Sequence, residues 1–204
     1  MAEGLQPRHL LTAQAQAFTV PGECVDWQHR GTPVVLAAAA TLCGMFAAQS
    51  LSGSKPQQYA QLAAQARALL AGEPDRIANA ANLSALVYHA VPDLNWAGFY
   101  LYDGKELVVG PFQGQPACVR IPLDKGVCGA AASTRTTQRI ADVDAFPGHI
   151  ACDSASRSEL VVPLVHRDHL IGVFDLDSPT PDRFDADDQQ GLETIAAIYV
   201  ESLA

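Results

Sequence analysis

Two predicted β-hairpins lie between predicted helices in this chain, and this order of elements constrains the fold more than any other feature. The first hairpin pairs an aromatic strand at residues 96–102 with a following strand through Asp103-Gly104, a dipeptide typical of tight turns. The second hairpin occupies residues 159–177 and turns at 166–169. Separate runs of helices and antiparallel strands indicate an α+β fold.

Helical patterns precede and follow these hairpins. Ser54 is a favourable N-cap for a first helix, and Asp75 begins a second helix that ends before Pro92. A short helix of small residues is predicted at 126–133, and a closing helix begins after Asp185. We therefore expect an antiparallel sheet with helices packed on one face and the N- and C-terminal helices together.

The composition indicates a globular protein and predicts neither a nucleic-acid partner nor a membrane partner. The chain has 204 residues, of which 49% are hydrophobic and 17% are charged. Its net charge of −9 and the lack of a Lys/Arg stripe argue against a nucleic-acid partner. No apolar run reaches the roughly 18 residues that a membrane-spanning helix needs. The longest, at 34–48, follows two basic residues, so a secretory leader is the alternative interpretation of that segment.

Residues 1–44 differ from the rest of the chain because they show no sustained helical period and few charges. Met45 is the only methionine besides Met1. We predict that residues 1–44 are a poorly ordered N-terminal extension or a translated upstream segment, and that residues 45–204 form the domain. Five cysteines would leave one unpaired in a disulfide framework, which favours a reducing, cytoplasmic setting.

Three cysteines of the domain are candidate reactive groups. Cys152 lies in a loop-like, Ser-rich stretch with Glu159 seven positions further on, which suggests an accessible thiol near a carboxylate. Cys118 and Cys128 are candidate partner thiols, although a buried free cysteine is usually an inert small hydrophobe. The spacing of the three contains no paired-cysteine knuckle, so we expect no structural zinc site and no other metal.

Three acidic residues form a second constellation. Asp175 and Asp177 are two apart on a predicted strand and therefore project from the same face of the sheet. With Glu159 nearby, repulsion and partial burial should raise at least one carboxyl pKa. A protonated carboxyl can deliver a proton, and an ionised one can anchor an ammonium group. The alternative is a solvated strand end with turn-forming acids.

An aromatic pair is the third constellation. Trp96 and Tyr100 are four apart on the first predicted strand and face the same way. Core packing is the simple explanation for such a pair, and an apolar wall of a ligand site is the functional one.

Six motifs, taken in their order along the chain, resemble the motifs of one protein family. They are NWAGFY from Asn95, GPFQG from Gly110, GVCG from Gly126, HIACD from His149, SELVVP from Ser158 and GVFDLDS from Gly172. Together they make residues 45–204 similar to the free methionine-(R)-sulfoxide reductases, which have the GAF fold.

The resemblance implies a thiol mechanism. Cys152 would be the nucleophile that attacks the sulfoxide sulfur of free methionine sulfoxide, so that methionine departs and a sulfenic acid remains. Cys118 or Cys128 would condense with it to a disulfide, which thioredoxin would reduce. No metal or organic cofactor is expected. The role would be repair under oxidative stress, and the family also implies a homodimer.

The resemblance also implies how the substrate is held. The three acids would bind the ammonium group and protonate the sulfoxide oxygen. The aromatic pair would enclose the methyl-sulfur group, which suits sulfur–aromatic contact. The backbone amides of residues 127–131, at a helix start, would receive the carboxylate.

A different class of function is compatible with the same fold. The chain could be a non-enzymatic GAF module that binds a small ligand, or one that senses redox state through Cys118 and Cys152. Turnover of free methionine sulfoxide distinguishes the two hypotheses.

Overall fold

The computed structural model describes residues 46–148 and 154–203, all within one compact unit, Met45–Ala204. The described helices are α1 (Lys55–Leu70), α2 (Arg76–Ala90), α3 (Gly126–Thr134) and α4 (Ala186–Ser202), with a 3-10 turn at Val143–Ala145. The strands are β1 (Trp96–Tyr102), β2 (Leu107–Gly114), β3 (Arg120–Ile121), β4 (Gln138–Ile140), β5 (Ser158–His166) and β6 (His169–Ser178). None of the helices in these ranges is long and apolar enough to cross a membrane. The interpretation of residues 1–44 concerns positions outside the described residues.

The strands form one six-stranded sheet in the order β3-β2-β1-β6-β5-β4, with every neighbouring pair antiparallel. The two predicted hairpins, β1–β2 and β5–β6, are joined side by side through the pairing of β1 with β6. This arrangement confirms the predicted α+β class and places the two hairpins' central strands in the middle of the sheet.

Helices α1, α2 and α4 cover one face of the sheet. Their apolar side chains share a core with Phe99 of β1 and Phe174 of β6, whose rings stack 4.7 Å apart. Tyr199 of α4 packs on Phe99 with ring centroids 4.6 Å apart. Aromatic pairs at these separations add to the stabilisation from burial alone.

The N- and C-terminal helices lie together, as predicted. The ring of Tyr59 on α1 fills the space that a side chain at Gly191 of α4 would need. The Tyr59 hydroxyl donates a hydrogen bond of 2.8 Å to buried Asp188, which also accepts from Lys55 and Arg183. The packing of α1 on α4 is thus anchored by a buried carboxylate that has cationic partners.

The small-residue helix α3 lies on the opposite face of the sheet. Val127, Cys128 and Ala131 of α3 share a second buried cluster with Trp96 of β1 and Val173 of β6. This face holds the predicted site residues that the structure describes.

Strand β2 is longer than the sequence pattern predicts and continues through Pro111. The pairing of β1 with β2 shifts between Gly98 and Tyr100, so that Gly110 and Pro111 both stand opposite Phe99. A bulge of this kind accommodates a residue that lacks an N–H. Ser84 of α2 then donates a hydrogen bond of 3.1 Å to the Pro111 carbonyl.

The segment before α1 runs along that helix and is held by glutamine side chains. Gln65 accepts from the Gln49 N–H at 2.7 Å and donates to the Gln49 carbonyl at 3.1 Å. Gln61 makes the same two bonds with Ser52, at 3.2 and 2.8 Å. Gln57 accepts from the Ser54 N–H at 2.9 Å. Residues four apart lie on one side of a helix, so these three amides form a single row.

Candidate active site

Pairing between three central strands brings the predicted acids together. Asp177 of β6 lies directly opposite Glu159 of β5 and, on its other side, opposite Trp96 of β1. Asp175 follows two positions earlier on the same face, opposite Val161 and Gly98. Because side chains alternate along a strand, all of these positions face α3.

Helix α3 adds a thiol to the acids. The sulfur of Cys128 lies 3.9 Å from a carboxyl oxygen of Glu159, and Cys128 also hydrogen-bonds Asp175. One oxygen of each carboxyl group and the Cys128 sulfur all lie within 4.8 Å of one another. Exposure is only 4% for Cys128, 7% for Glu159 and 5% for Asp175. We call these three residues the thiol–acid cluster.

Burial raises the pKa of every member of the thiol–acid cluster. The pKa of Asp175 rises from 3.8 to about 7, mainly because the carboxyl group is removed from water. Burial, followed by the charges of Asp175 and Asp177, holds the pKa of Glu159 well above its usual range. Burial and the two neighbouring carboxyl groups do the same to the thiol of Cys128. The predicted rise in carboxyl pKa is therefore present, and the cluster retains protons near neutral pH.

The thiol–acid cluster has no protein cation to balance it among the described residues. Neither Glu159 nor Asp175 takes part in any of the ion pairs found there. One oxygen of Asp175, Oδ1, is buried without a hydrogen-bond partner in that part of the chain. Buried charges in proteins are normally paired, so this arrangement suits a ligand that brings a positive charge or hydrogen-bond donors.

Trp96 and Tyr100 face the same side of the sheet, as their spacing predicts, and both are buried in the same cluster as Cys128. We call this pair the aromatic wall. The rings of Trp96 and Tyr100 stack 5.7 Å apart, and Phe112 of β2 stacks on Trp96 at 5.2 Å. Gly98 lies between them on β1, and a Cβ there would come within 2.7 Å of the indole ring. The buried indole Nε1 has no hydrogen-bond partner among the described residues. The aromatic wall is therefore largely apolar, with one buried N–H donor that has no partner among the described residues.

Sequence reasoning missed Phe112 and Gly98 as parts of this wall. Both lie within motifs that carry the family resemblance, so a signal was present. Single-sequence reasoning could not use it, because the contact depends on the register between β1 and β2 and on the bulge beside it.

The two described cysteines differ in whether they are disulfide-bonded and in how deeply they are buried. Cys118 is half-buried in the connection between β2 and β3, packs against the same apolar cluster as Cys128, and is disulfide-bonded. Cys128 is a free, buried thiol. Cys152 and His149 lie outside the described residues. Seven of the eight predicted site residues thus share one face of the sheet.

Comparison with known proteins agrees with this fold. Residues 75–200 match the GAF domain family. The free methionine-R-sulfoxide reductase of Escherichia coli strain K12 is 51% identical over 151 residues, which cover 74% of this chain and 92% of that protein. The chain belongs to the free methionine-(R)-sulfoxide reductase family of GAF domains.

Other members of this reductase family are similar over comparable lengths. The free methionine-R-sulfoxide reductase of Saccharomyces cerevisiae is 41% identical, with 73% of this chain and 87% of that protein covered. The structure of the free methionine-R-sulfoxide reductase of Neisseria meningitidis, solved by X-ray methods in complex with its substrate, matches this fold with a TM-score of 0.75. It is 42% identical and covers 78% of this chain and 96% of its own.

Proposed function

We propose that this protein reduces free L-methionine (R)-sulfoxide to methionine. The observation that carries the proposal is the buried thiol–acid cluster, which lacks a protein cation among the described residues and lies beside the aromatic wall. A free amino acid supplies an ammonium group for the carboxylates, whereas a methionine sulfoxide within a polypeptide lacks that charge. The relatives named free methionine-R-sulfoxide reductase support an oxidoreductase with this substrate.

The acids and aromatic rings have complementary roles in this proposal. The retained protons of Glu159 and Asp175 are available for the sulfoxide oxygen, and Asp177 joins them in binding the ammonium group. Trp96 and Tyr100 enclose the methyl-sulfur end of the substrate. The first-turn amides of α3 receive the carboxylate, since the first four N–H groups of a helix have no intrahelical partner.

The chemistry begins with the thiolate of Cys152. It attacks the sulfoxide sulfur while the acids protonate the oxygen. Methionine is released with two more electrons on its sulfur, and Cys152 carries the oxygen as a sulfenic acid. A second thiol displaces that oxygen as water and forms a disulfide. Reduced thioredoxin then returns both sulfurs to thiols and is itself oxidised.

We propose Cys118 as the second thiol and Cys152 as its disulfide partner. Two observations support this choice over Cys128. Cys118 is disulfide-bonded and half-buried, so a reductant could approach it. Burial raises the pKa of the Cys128 thiol, and a protonated thiol is a poor nucleophile. Cys128 would instead hold the proton-bearing acids in place.

An assay with matched substrates tests the function. NADPH consumption coupled through thioredoxin should require the R epimer of free methionine sulfoxide. The N-acetylated R epimer, which lacks the ammonium charge, should turn over poorly. Cys152→Ser should abolish turnover. Equal turnover of the S epimer, or an undiminished rate in Cys152→Ser, would refute the proposal. Binding of the R epimer without turnover would favour the alternative of a non-enzymatic ligand or redox sensor.

Single-turnover experiments separate the thiols. Cys118→Ser should release one methionine per chain without thioredoxin and then stop at the sulfenic acid. Cys128→Ser should still form the Cys118–Cys152 disulfide, which peptide mass spectrometry would detect. A disulfide between Cys128 and Cys152 in the wild-type protein would reverse the assignment.

The proposed cellular compartment and oligomeric state rest on the family resemblance. We propose a cytoplasmic protein that is kept reduced by thioredoxin, which agrees with the free thiol at Cys128. We also propose a homodimer through the terminal helices. Light scattering on the purified chain would give twice the chain mass, and a monomer mass would contradict it.

A further inference from the structure

We propose that Cys128, Glu159 and Asp175 form a binding site for a thiophilic divalent cation of the Zn²⁺ class. This site involves one thiol and two carboxyl groups that belong to three different elements, α3, β5 and β6. It departs from the expectation that the chain holds no metal, which rested on the lack of a paired-cysteine knuckle. The ligands of this site come together only through strand pairing and the packing of α3 on the sheet.

The geometry is close to what a four-coordinate ion requires. Bond lengths of about 2.0–2.3 Å from zinc to oxygen and sulfur place neighbouring ligand atoms about 3.5 Å apart in a tetrahedron. The Cys128 sulfur and a Glu159 oxygen are 3.9 Å apart, and all three ligand atoms lie within 4.8 Å. Small side-chain rotations would complete the set, with the fourth position left for a further ligand.

A second observation points to a missing ligand at the same place. Asp175 is 5% exposed, yet its Oδ1 has no hydrogen-bond partner among the described residues. The two carboxyl groups of the cluster also form no ion pair there. By contrast, the fully buried carboxylate of Asp188 has both Lys55 and Arg183 as partners. A divalent cation would supply the charge that the thiol–acid cluster lacks.

The donor atoms favour Zn²⁺ over harder or softer ions. Mg²⁺ and Ca²⁺ take oxygen ligands, whereas Cu⁺ prefers several sulfur ligands. One thiolate with two carboxylates is a mixed set that suits zinc, and three protein ligands with one open position are typical of non-structural zinc sites. The ion would occupy the space proposed for the substrate ammonium, so Zn²⁺ should inhibit turnover competitively. Only this inhibition rests on the proposed function.

Binding is tested in a full-length variant in which Cys128 is the only thiol. Cys24, Cys43, Cys118 and Cys152 are changed to Ser, and circular dichroism verifies the fold. Co²⁺, which reports its ligands by colour, is added first. We expect one Co²⁺ per chain with a thiolate-to-metal charge-transfer band, and displacement of that band by Zn²⁺. A folded variant that shows no thiolate band would overturn the proposal.

Ligand variants in the same background provide the second measurement. Cys128→Ser should abolish the band. Glu159→Gln and Asp175→Asn should each weaken Zn²⁺ binding at least about tenfold, because the loss of a residue that only hydrogen-bonds a metal ligand already lowers metal affinity by about that factor. Asp124→Asn, at an exposed acid, is the control and should leave the affinity unchanged. Equal affinity in all four variants would place the ion elsewhere and refute the site. Because this background lacks Cys152, the outcome is independent of whether the protein is a reductase.

Discussion

Glu159 on β5 and Asp177 on β6 lie directly opposite each other in the sheet. Like charges at opposed positions destabilise a sheet, and burial of Glu159 adds to the cost. Buried Asp188, by contrast, is balanced by Lys55 and Arg183. Glu159 forms no ion pair among the described residues, so its position fits the proposed role in substrate binding better than a role in stability.

Replacing Glu159 should separate stability from binding. Glu159→Gln removes one member of the opposed pair and keeps its shape, so the free energy of unfolding near neutral pH should rise by up to about 1 kcal/mol. The KM for free methionine sulfoxide should rise at least about tenfold because a charge-assisted hydrogen bond is lost. Urea unfolding and steady-state kinetics measure the two effects. The exposed control Glu201→Gln should change neither; a less stable Glu159→Gln with unchanged KM would contradict the interpretation.

The raised pKa of Asp175 should appear in the pH dependence of stability. Between its ordinary value of 3.8 and its value of about 7 in the protein, the native state holds a proton that the unfolded state releases. Its stabilising contribution is therefore complete below about pH 4 and is lost as the pH rises to about 7. Asp175→Asn should gain stability relative to wild type across this window and show a constant difference above it.

Asp103 provides a control of opposite sign for that experiment. Backbone hydrogen bonds from Glu106 and Lys105 and the neighbouring Arg120 lower its pKa to about 2. Its contribution is present above its ordinary pKa and is lost only as the pH falls from about 4 to about 2. Asp103→Asn should therefore lower stability by a constant amount above about pH 4, and this loss should vanish as the pH falls to about 2. A wild-type minus Asp175→Asn difference that is flat from about pH 4 to about pH 7 would show that the carboxyl group is not perturbed.

Gly98 should tolerate no side chain. A Cβ there would lie within 2.7 Å of the Trp96 ring and 2.8 Å of the Phe112 backbone. Gly98→Ala should therefore destabilise the protein by about 1–3 kcal/mol or more through overpacking, and should displace the aromatic wall. Gly72→Ala is the comparison, since it has open space but a φ of +81° and isolates the backbone cost. Thermal unfolding of both variants measures the difference, and a Gly98→Ala variant as stable as wild type would contradict the close packing.

The N-cap of α4 should contribute measurably to stability. The Asp185 side chain accepts hydrogen bonds from the N–H groups of Asp187 and Asp188, at 2.9 and 3.0 Å, and lies 2.6 Å from the Lys55 ammonium. Asp185→Ala should cost about 1 kcal/mol, as is typical of a lost cap. Asp187→Ala, which removes no cap, should cost less. Equal losses in chemical denaturation would mean that charge near the helix start, and not capping, is responsible.

The two described cysteines should differ in reactivity once the protein is fully reduced. Cys128 is 4% exposed, and its pKa is raised by burial, whereas Cys118 is half-buried. Iodoacetamide should therefore label Cys118 at least about tenfold faster, because the thiolate is the reacting form. Peptide mass spectrometry over time gives both rates. Faster labelling of Cys128 would make it the better candidate for the second thiol.

Much of the fold could be predicted from local patterns. Strand β1 begins and ends where its aromatic residues predict, and the caps Ser54, Asp75 and Asp185 mark the starts of three helices. The extension of β2 through Pro111 could not be predicted, since a proline normally ends a central strand. It is possible because the bulge opposite Phe99 leaves no ladder hydrogen bond to lose.

The residues of the candidate site could be predicted from the sequence, but their arrangement in space could not. Alternation along β6 correctly places Asp175 and Asp177 on one face. The opposition of Glu159 to Asp177, and the contact of Cys128 with both buried acids, depend on strand register and on where α3 packs. Neither contact follows from the local sequence. The family resemblance, and not the spacing of the residues, was therefore what predicted that they share one site.

The glutamine row on α1 binds mainly the peptide groups of residues 49–54 and also accepts a hydrogen bond of 3.1 Å from the Ser54 hydroxyl. The residue types in that stretch can therefore vary, as long as glutamine side chains recur at every fourth position of the helix. It also makes this edge of the molecule a natural point for attaching a fusion partner or an affinity label, because the proposed substrate site lies on the opposite face of the sheet.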